Sequence, residues 1–151
     1  MSDFVQDTAS NAPRSNNDET MNKEIIARAF EAWAAGTGSV FDLLAPDARW
    51  TIVGNSVISG TYNSREDFLS LVIRPFNARL STPLVPALHA LYADGHTVIA
   101  YFDASATGRD GAPYSNTYTW YLHLRGKEIV EVVAFFDSVE LNDLWARVEP
   151  E

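Results

Sequence analysis

The spacing of hydrophobic residues changes partway along the chain, and this change predicts helices first and strands afterwards. Near the start, Ile26, Ala29, Phe30 and Trp33 recur at intervals of three or four residues, which is the spacing of one helix face. Asn22 stands just before this run and is a residue type that caps helix N-termini well. The pattern therefore predicts a helix from about Asn22, ended by the glycines that follow it.

Two further helices are predicted before residue 80. Ser39 can cap a short helix that Pro46 ends, ahead of a strand over 49–53. Ser64 precedes a run with acidic residues in its first turn and a broad apolar face that extends to Phe76. The first half of the chain is thus predicted to hold three helices and one strand.

Beyond residue 80 the apolar residues are β-branched and aromatic, and they occur in long runs separated by glycine-containing turns. This pattern predicts a four-stranded antiparallel meander and a short closing helix over 139–148. The strands exceed the usual length of about 5 to 6 residues, so the sheet is expected to curve or twist strongly. The predicted strand ranges are 84–93, 96–107, 114–124 and 128–137.

Composition and charge narrow the class of protein. Residues 1–20 carry few large apolar side chains, which predicts a disordered arm ahead of one compact domain over 21–151. The formal net charge of -9 would repel a phosphate backbone, so nucleic acid is not an expected partner. The absence of cysteine excludes thiolate metal sites and thiol nucleophiles. No apolar run approaches the roughly 20 residues that span a bilayer, so we expect no membrane insertion and a cytoplasmic location.

Strand pairing predicts which side chains share a face of the sheet, because side chains alternate and directly opposed residues point the same way. If Asp94-Gly95 forms a two-residue turn, His89 and Phe102 share a face. In the last hairpin, either possible turn centre pairs even-numbered residues of one strand with odd-numbered residues of the next. The shared face then also holds Asn116, Tyr118, Trp120, Phe135 and Asp137.

The opposite face of the predicted meander is also too apolar to be simply solvated. One face must pack against the helices, and an exposed aromatic sheet face usually marks an interface. We therefore expect a homodimer through the outer sheet face. The residues predicted for this outer face include Tyr101, Asp103, Tyr121, His123, Val132 and Phe136.

Three stretches of the chain resemble a known family. Residues 111–137, GAPYSNTYTWYLHLRGKEIVEVVAFFD, resemble the C-terminal strand pair of SnoaL-like proteins in the nuclear transport factor 2-like superfamily. The stretches FEAWAAG at 30–36 and LLAPDARW at 43–50 resemble that superfamily's opening. The resemblance covers about residues 22–145. It implies an α+β, cone-shaped (cystatin-like) fold in which N-terminal helices pack on a strongly curved antiparallel sheet.

The resemblance also implies a deep apolar cone between helices and sheet, with the face of Asn116, Tyr118 and Asp137 on the inside. Combined with the pairing argument, it predicts a cavity for a hydrophobic small molecule, with no metal and no organic cofactor. The remaining residues expected in this cavity are Trp50, Ile52, His89, Phe102, Trp120 and Phe135.

The chain departs from the catalytic patterns of two related enzyme classes. In ketosteroid isomerases the catalytic carboxylate falls near Ile52 and the oxyanion donors near Ala29 and Trp120, and none of these residues can do that work. In limonene epoxide hydrolases the arginine and the first aspartate fall near Val98 and Ala100, which leaves only the terminal aspartate, matching Asp137. In SnoaL-like polyketide cyclases a carboxylate acts as acid and base in an apolar pocket, and Asp137 matches that position.

These observations lead to one main hypothesis and its alternatives. Asp137 ends a strongly apolar run, where desolvation would raise its pKa and suit it to general acid and base catalysis. With His89 as a partner and Tyr118 or Asn116 as oxyanion donor, this predicts an isomerase, lyase or cyclase. Alternatively, Asp137 caps the last helix and the domain binds a hydrophobic ligand or dimerises without catalysis. Water activation by Asp137, as in an epoxide hydrolase, is the third possibility.

Overall fold

The computed structural model of the protein describes residues 16–150, and its first element is the long helix α1 (Asn16–Ala35). This helix begins before the predicted start at Asn22, so residues 16–20 of the predicted arm are helical. The rest of that arm lies outside the described residues. Asn22 is not an N-cap but a buried residue inside α1, where its amide donates a hydrogen bond to the Gly95 carbonyl at 3.3 Å.

A 3-10 turn (Val40–Leu43) follows α1, and Ser39 caps it as predicted. The Ser39 hydroxyl accepts from the Phe41 N–H at 3.1 Å, and the Asp42 carboxylate accepts from the Ser39 N–H at 2.9 Å. Pro46 does not end this turn; it lies inside the strand that begins directly after it. The strand's register is irregular around Pro46, so its missing N–H removes no regular ladder hydrogen bond.

The helix predicted from Ser64 is continuous but changes its winding. It consists of α2 (Arg65–Phe68), a π-helical segment (Leu69–Ile73) and α3 (Arg74–Asn77). The Ser64 hydroxyl accepts from the Asp67 N–H at 3.0 Å, which confirms Ser64 as the N-cap. Pro75 has no N–H to offer the preceding turn, and the wider π-helical segment ends two residues before it, at Ile73.

Six strands form one sheet in the order β2-β1-β6-β5-β4-β3, and the chain closes with helix α4 (Ser138–Arg147). The predicted meander is confirmed, because the last four strands are neighbours in chain order. The pairing of β1 with β6 is parallel, and the other pairings are antiparallel. The strands are β1 (Leu44–Ile52), β2 (Gly60–Tyr62), β3 (Val85–Asp94), β4 (Thr97–Thr107), β5 (Pro113–Arg125) and β6 (Glu128–Phe136).

Two β-bulges decide which side chains share a face. Between β3 and β4 the register shifts between Leu88 and Ala90, which leaves His89 as the extra residue. The turn of this hairpin is also centred on Gly95-His96, one residue later than predicted. Between β5 and β6 the register shifts next to His123, and Val130 is the extra residue. Because side chains alternate along a strand, one extra residue moves every later side chain to the opposite face.

The second bulge corrects the predicted faces of β6. Trp120 opposes Ala134 and Tyr118 opposes Phe136, so even-numbered residues of both strands point inward. Val132 and Phe136, predicted for the outer face, therefore lie on the inner side of the sheet. The prediction for β4 and β5 is right, because these two strands pair without interruption over their whole length.

The helices cover the inner face of the sheet. Helix α1 packs on β3 and β4, α2 packs on β1, and α4 packs on β5. Between them lies a buried core that includes Phe102, Leu122 and Leu144. None of the helices within residues 16–150 is long and apolar enough to cross a membrane. The architecture is the α+β cone that the resemblance implied.

Candidate functional site

The core leaves a cavity of about 590 Å³ between the helices and the inner face of the sheet. Six aromatic side chains from helices and strands contribute to its wall, together with Tyr118. The segment after α3, residues 80–84, forms part of its rim. The aromatic wall residues are Trp33, Phe41, Trp50, Phe68, Phe76 and Trp120, and Phe136 adds a further ring near Tyr118.

The tryptophans hold each other in fixed orientations. Trp33 stacks on Trp120 with ring centroids 5.9 Å apart and planes 9° apart. Trp50 stacks on Phe68 at 4.1 Å and meets Trp120 edge to face at 5.0 Å. The Trp33 indole N–H donates to the Leu84 carbonyl at 2.9 Å, which fixes this ring against the rim segment. Such packing gives a rigid wall suited to flat or alicyclic rings.

A chain of hydrogen bonds reaches the cavity at Tyr118. The Tyr118 and Tyr114 hydroxyls are 2.7 Å apart, and the Asn116 amide donates to the Tyr114 hydroxyl at 2.9 Å. All three side chains are buried. Burial, and secondarily the neighbouring Tyr114, raises the pKa of Tyr118 well above its usual value of 10.0. Tyr118 is therefore a neutral hydroxyl that can donate or accept a hydrogen bond, not a base.

Asn116 itself is fully occupied within the fold. Besides Tyr114, its amide donates to the Asp137 carbonyl at 3.0 Å, and its carbonyl accepts from the N–H groups of Asp137 and Thr117. It does not line the cavity. The predicted role of Asn116 in ligand contact is therefore not supported; it joins β5 to the junction between β6 and α4.

Asp137 does not occupy the predicted position in an apolar pocket. It lies between the last residue of β6 and the first residue of α4, and its carboxylate accepts from the Val139 N–H at 2.9 Å. Its side chain is exposed, and it is not among the cavity-lining residues. A strand that ends where a helix begins leaves the junction residue to satisfy the helix N-terminus, and aspartate does this well. The helix-cap alternative describes the observed contacts.

His89 and Phe135 were predicted to face the cavity, but both lie on the outer face of the sheet. A β-bulge explains the position of each residue. His89 is itself the bulged residue, and its Nε2 lies 3.0 Å from the Asp103 carboxylate. Phe135 is 44% exposed and packs against Tyr121 with ring centroids 5.9 Å apart. Neither side chain is available to a molecule in the cavity.

Four predicted residues do line the cavity, namely Trp50, Ile52, Tyr118 and Trp120. Phe102 lies behind them: it is fully buried and stacks on Tyr118 with ring centroids 5.0 Å apart. It shapes the wall from the core side without lining the open space.

Sequence reasoning missed the helical and loop contributions to the site. Trp33 and Phe68 lie at apolar positions of predicted helices, but helical spacing does not distinguish residues that fill a core from those that border a cavity. Phe41 and residues 80–84 were likewise not predicted to line it. The signal that could have found the rim is the polar run Ser81-Thr82-Pro83 between an apolar helix and a long strand.

The chemistry available to the cavity is that of uncharged groups. Among residues 16–150, no aspartate, glutamate, histidine, lysine or arginine lines it. The described part of the chain also holds no group of three or more histidine, aspartate or glutamate side chains placed to bind a metal ion. The geometry can therefore enclose a neutral apolar ring system beside Tyr118.

Comparison with known proteins agrees with this architecture. The family model of the SnoaL-like domain matches residues 26–132. The structure of Bal32a, from a soil-derived mobile gene cassette, is 21% identical, with a TM-score of 0.69 over 85% of this chain and 99% of its own. A candidate SnoaL-like polyketide cyclase from Jannaschia sp. CCS1 is 17% identical, with a TM-score of 0.67 over 95% of this chain and 99% of its own.

A third solved structure, a loop-truncation variant of IdmH, is 25% identical, with a TM-score of 0.64 over 82% of this chain and 98% of its own. A comparison with curated proteins gave no match. The family resemblance predicted from residues 30–36, 43–50 and 111–137 is thereby confirmed, as is the fold that it implied.

Proposed function

Because the chain belongs to the SnoaL-like family, we propose that it binds a neutral, ring-containing small molecule in the aromatic cavity. A carbonyl or hydroxyl oxygen of this molecule lies against the Tyr118 hydroxyl. The observation that carries the proposal is the wall of stacked aromatic rings around an uncharged cavity, with one buried hydroxyl chain that ends there.

The size and lining of the cavity support a small-molecule ligand. Its volume of about 590 Å³ falls within the range of about 300 to 1,000 Å³ that is usual for ligand pockets. Its wall is mainly apolar, so burial of a ring system there gains about 25 cal/mol per Å² of apolar surface. A charged ligand would lose its hydration without meeting an opposite charge, which favours neutral molecules.

The hydroxyl chain supports a polar contact at one end of the ligand. The Asn116 amide donates to Tyr114. If Tyr114 then donates to Tyr118, the Tyr118 proton is free for an acceptor on the ligand. Successive donors polarise one another, so the last donor of such a chain is stronger than an isolated hydroxyl. A ligand carbonyl would make the best use of it.

A second candidate function is catalysis of isomerase or cyclase type on such a carbonyl compound. The same Tyr118 donor favours it, because a hydrogen bond to a carbonyl oxygen stabilises the enolate that forms when a neighbouring carbon loses a proton. The candidate polyketide cyclase from Jannaschia is consistent with this chemistry. The proton would pass to water or to the substrate itself, since Asp137 is engaged at the start of α4. For the same reason, neither this candidate nor the binding proposal uses Asp137 as an acid, a base or an activator of water.

The binding proposal is tested with 2-acetylnaphthalene and 2-ethylnaphthalene, which share a ring system and differ in one carbonyl. Binding is measured by calorimetry and by the fluorescence of the cavity tryptophans. We expect the wild type to bind 2-acetylnaphthalene about threefold to tenfold more tightly, in line with one hydrogen bond. In Tyr118→Phe this preference should disappear while 2-ethylnaphthalene still binds.

The matched control is Thr119→Val, a change of the adjacent residue on the outer face, which should leave both affinities unchanged. Failure of both compounds to bind the wild type would contradict the proposal. Equal binding of both compounds by wild type and Tyr118→Phe would leave the cavity as the binding site and remove the role of Tyr118.

The catalytic candidate is tested with 2-tetralone, whose protons next to the carbonyl exchange with deuterium in D2O through the enol. We expect the wild type to accelerate this exchange, as followed by NMR, and Tyr118→Phe to lose most of the acceleration. No acceleration by a wild type that binds 2-tetralone would leave the protein as a binding module.

A further inference from the structure

We infer that the rim of the cavity recognises an uncharged polar group on the same ligand, so that the ligand is amphipathic and enters with its ring end first. This inference rests on the proposed binding function and goes beyond it, because it assigns a second contact site and a ligand class. The residues that carry it are Ser39, Asn77 and Thr82, which lie on three different segments and line the cavity.

Two of these residues have hydroxyl protons that the fold leaves free. The Ser39 oxygen accepts from the Phe41 N–H at 3.1 Å, and the Thr82 oxygen accepts from the Thr107 N–H at 2.8 Å. Each hydroxyl is thus held in place through its oxygen while its own proton has no hydrogen-bond acceptor among the described residues. An oxygen held in this way offers a donor of fixed position to a ligand acceptor.

Asn77 adds a third polar group to the rim. It is the last residue of α3, its side chain is exposed, and its amide makes no hydrogen bond with any other described residue. An amide can donate and accept at once, so it suits hydroxyl and ether oxygens as well as carbonyls. With Ser39 and Thr82, it makes the rim polar where the interior of the cavity is aromatic.

The rim segment is fixed in place, so its polar groups are already positioned for binding. The Ser81 N–H donates to the Thr107 carbonyl at 2.8 Å, and the Ser81 hydroxyl bonds to the same carbonyl. On the other side, the Trp33 indole holds the Leu84 carbonyl at 2.9 Å. A rim that is anchored at both ends loses little entropy when a ligand binds.

The absence of charge at the rim specifies the kind of polar group. Among the described residues, no basic side chain lines the cavity to pair with a carboxylate or phosphate, and the chain carries a formal net charge of -9. An anionic end group would therefore be repelled. The fitting ligand has an apolar ring system and an uncharged end group with hydroxyl, ether or carbonyl oxygens.

Two probes of equal length test this inference: 2-(2-naphthyloxy)ethanol and 2-propoxynaphthalene, which differ by a terminal hydroxyl in place of a methyl group. We expect the wild type to prefer the alcohol by about threefold to tenfold, measured by calorimetry. Asn77→Leu and Thr82→Val should each reduce this preference. Thr82→Ser, which keeps a hydroxyl at this position, should retain the wild-type preference.

The ratio of the two affinities separates recognition from simple structural damage. A variant that only loosens the rim lowers the affinity for both probes by the same factor and leaves the ratio of the two affinities unchanged. Thr119→Val is the matched control, because it makes the same kind of change as Thr82→Val on the outer face of the sheet, away from the cavity lining, and it should keep the wild-type ratio.

Each outcome bears on a different proposal. If the wild type binds both probes equally, or if Asn77→Leu and Thr82→Val keep the wild-type ratio, the rim inference is wrong and the aromatic cavity remains the binding site. If the wild type binds neither probe, the proposed binding function fails, and the rim inference fails with it.

Discussion

The two faces of the sheet carry similar aromatic residues but differ in what covers them. On the inner face, Phe102 and Trp120 are 0% and 4% exposed, because helices pack over them. On the outer face, their chain neighbours Tyr101 and Tyr121 are 43% and 40% exposed. Aromatic content alone therefore does not reveal which face of a strand is buried. The face on which the helices pack is the buried one, and the bulges determine which side chains lie on that face.

The largest expected difference between the faces is in stability. Phe102→Ala removes a fully buried ring that packs on Phe30, Tyr118 and Trp120. We expect it to lower the free energy of unfolding by about 3 to 5 kcal/mol. Tyr101→Ala, one residue earlier on the outer face, should cost less than about 1 kcal/mol. Urea denaturation of both variants at one protein concentration measures the difference.

The same pair of variants tests the prediction that the protein forms a homodimer through the outer sheet face. If outer faces pair in solution, the loss caused by Tyr101→Ala should increase with protein concentration, because dimerisation stabilises only the wild type. Sedimentation of the wild type over that concentration range provides the control. Equal losses for Phe102→Ala and Tyr101→Ala at low concentration would contradict the comparison of the two faces.

A smaller effect is expected at the junction that follows the inner face. Asn116→Ala removes an amide that bonds both the N–H and the carbonyl of Asp137, and we expect a loss of about 2 to 3 kcal/mol from the unpaired groups. Asp137→Ala should cost about 1 kcal/mol as a lost helix cap, and Asp137→Asn much less, since asparagine also caps well. Thermal and urea denaturation give these values.

The Asp137 variants also separate the two interpretations of that residue. As a cap, Asp137→Asn should leave the affinity for 2-acetylnaphthalene and any exchange of 2-tetralone unchanged. Loss of the exchange reaction in a stable Asp137→Asn protein would restore the general acid and base hypothesis. Asn116→Ala serves as the reference for damage to the junction without removal of a carboxylate.

The fold could be predicted from the sequence where hydrophobic residues recur at regular spacing and turn residues separate the runs. Turn residues such as Arg125-Gly126-Lys127 gave the meander, and uninterrupted pairing made the predicted faces of β4 and β5 right. The bulges at His89 and Val130 were not predictable, because neither residue is a glycine or differs in type from an ordinary strand residue. Each bulge moved a predicted site residue out of the cavity.

The site was less predictable than the fold for a related reason. A cavity is bordered by residues that come from several elements, and which of them border it depends on how helices sit on the sheet. Trp33 and Thr82 are far apart in sequence, and both line the cavity. The helix-cap role of Asp137, by contrast, could be predicted from its place between a strand and a helix. It was the alternative to the catalytic hypothesis for this residue.

The smallest expected effect is a pH dependence confined to the outer face, at Asp103. A hydrogen bond from the Thr117 hydroxyl at 2.7 Å, and then the contact with His89 at 3.0 Å, lower the pKa of this carboxyl below its usual value of 3.8. Because the folded protein holds the ionised form more tightly than the unfolded chain, the carboxylate stabilises the fold above that value. This contribution is lost as the pH falls through the lowered pKa.

We therefore expect the stability difference between wild type and Asp103→Asn to shrink as the pH is lowered from about 5 to below about 4. In Thr117→Val the pKa of Asp103 should rise towards its usual value, as followed by NMR of the side-chain carboxyl carbon. If the pKa of Asp103 is the same in Thr117→Val as in the wild type, the hydrogen bond from the Thr117 hydroxyl does not lower that pKa in solution. The cavity has no carboxylate among its described lining residues, so ligand affinity should stay constant over the same range, which would distinguish the two faces chemically.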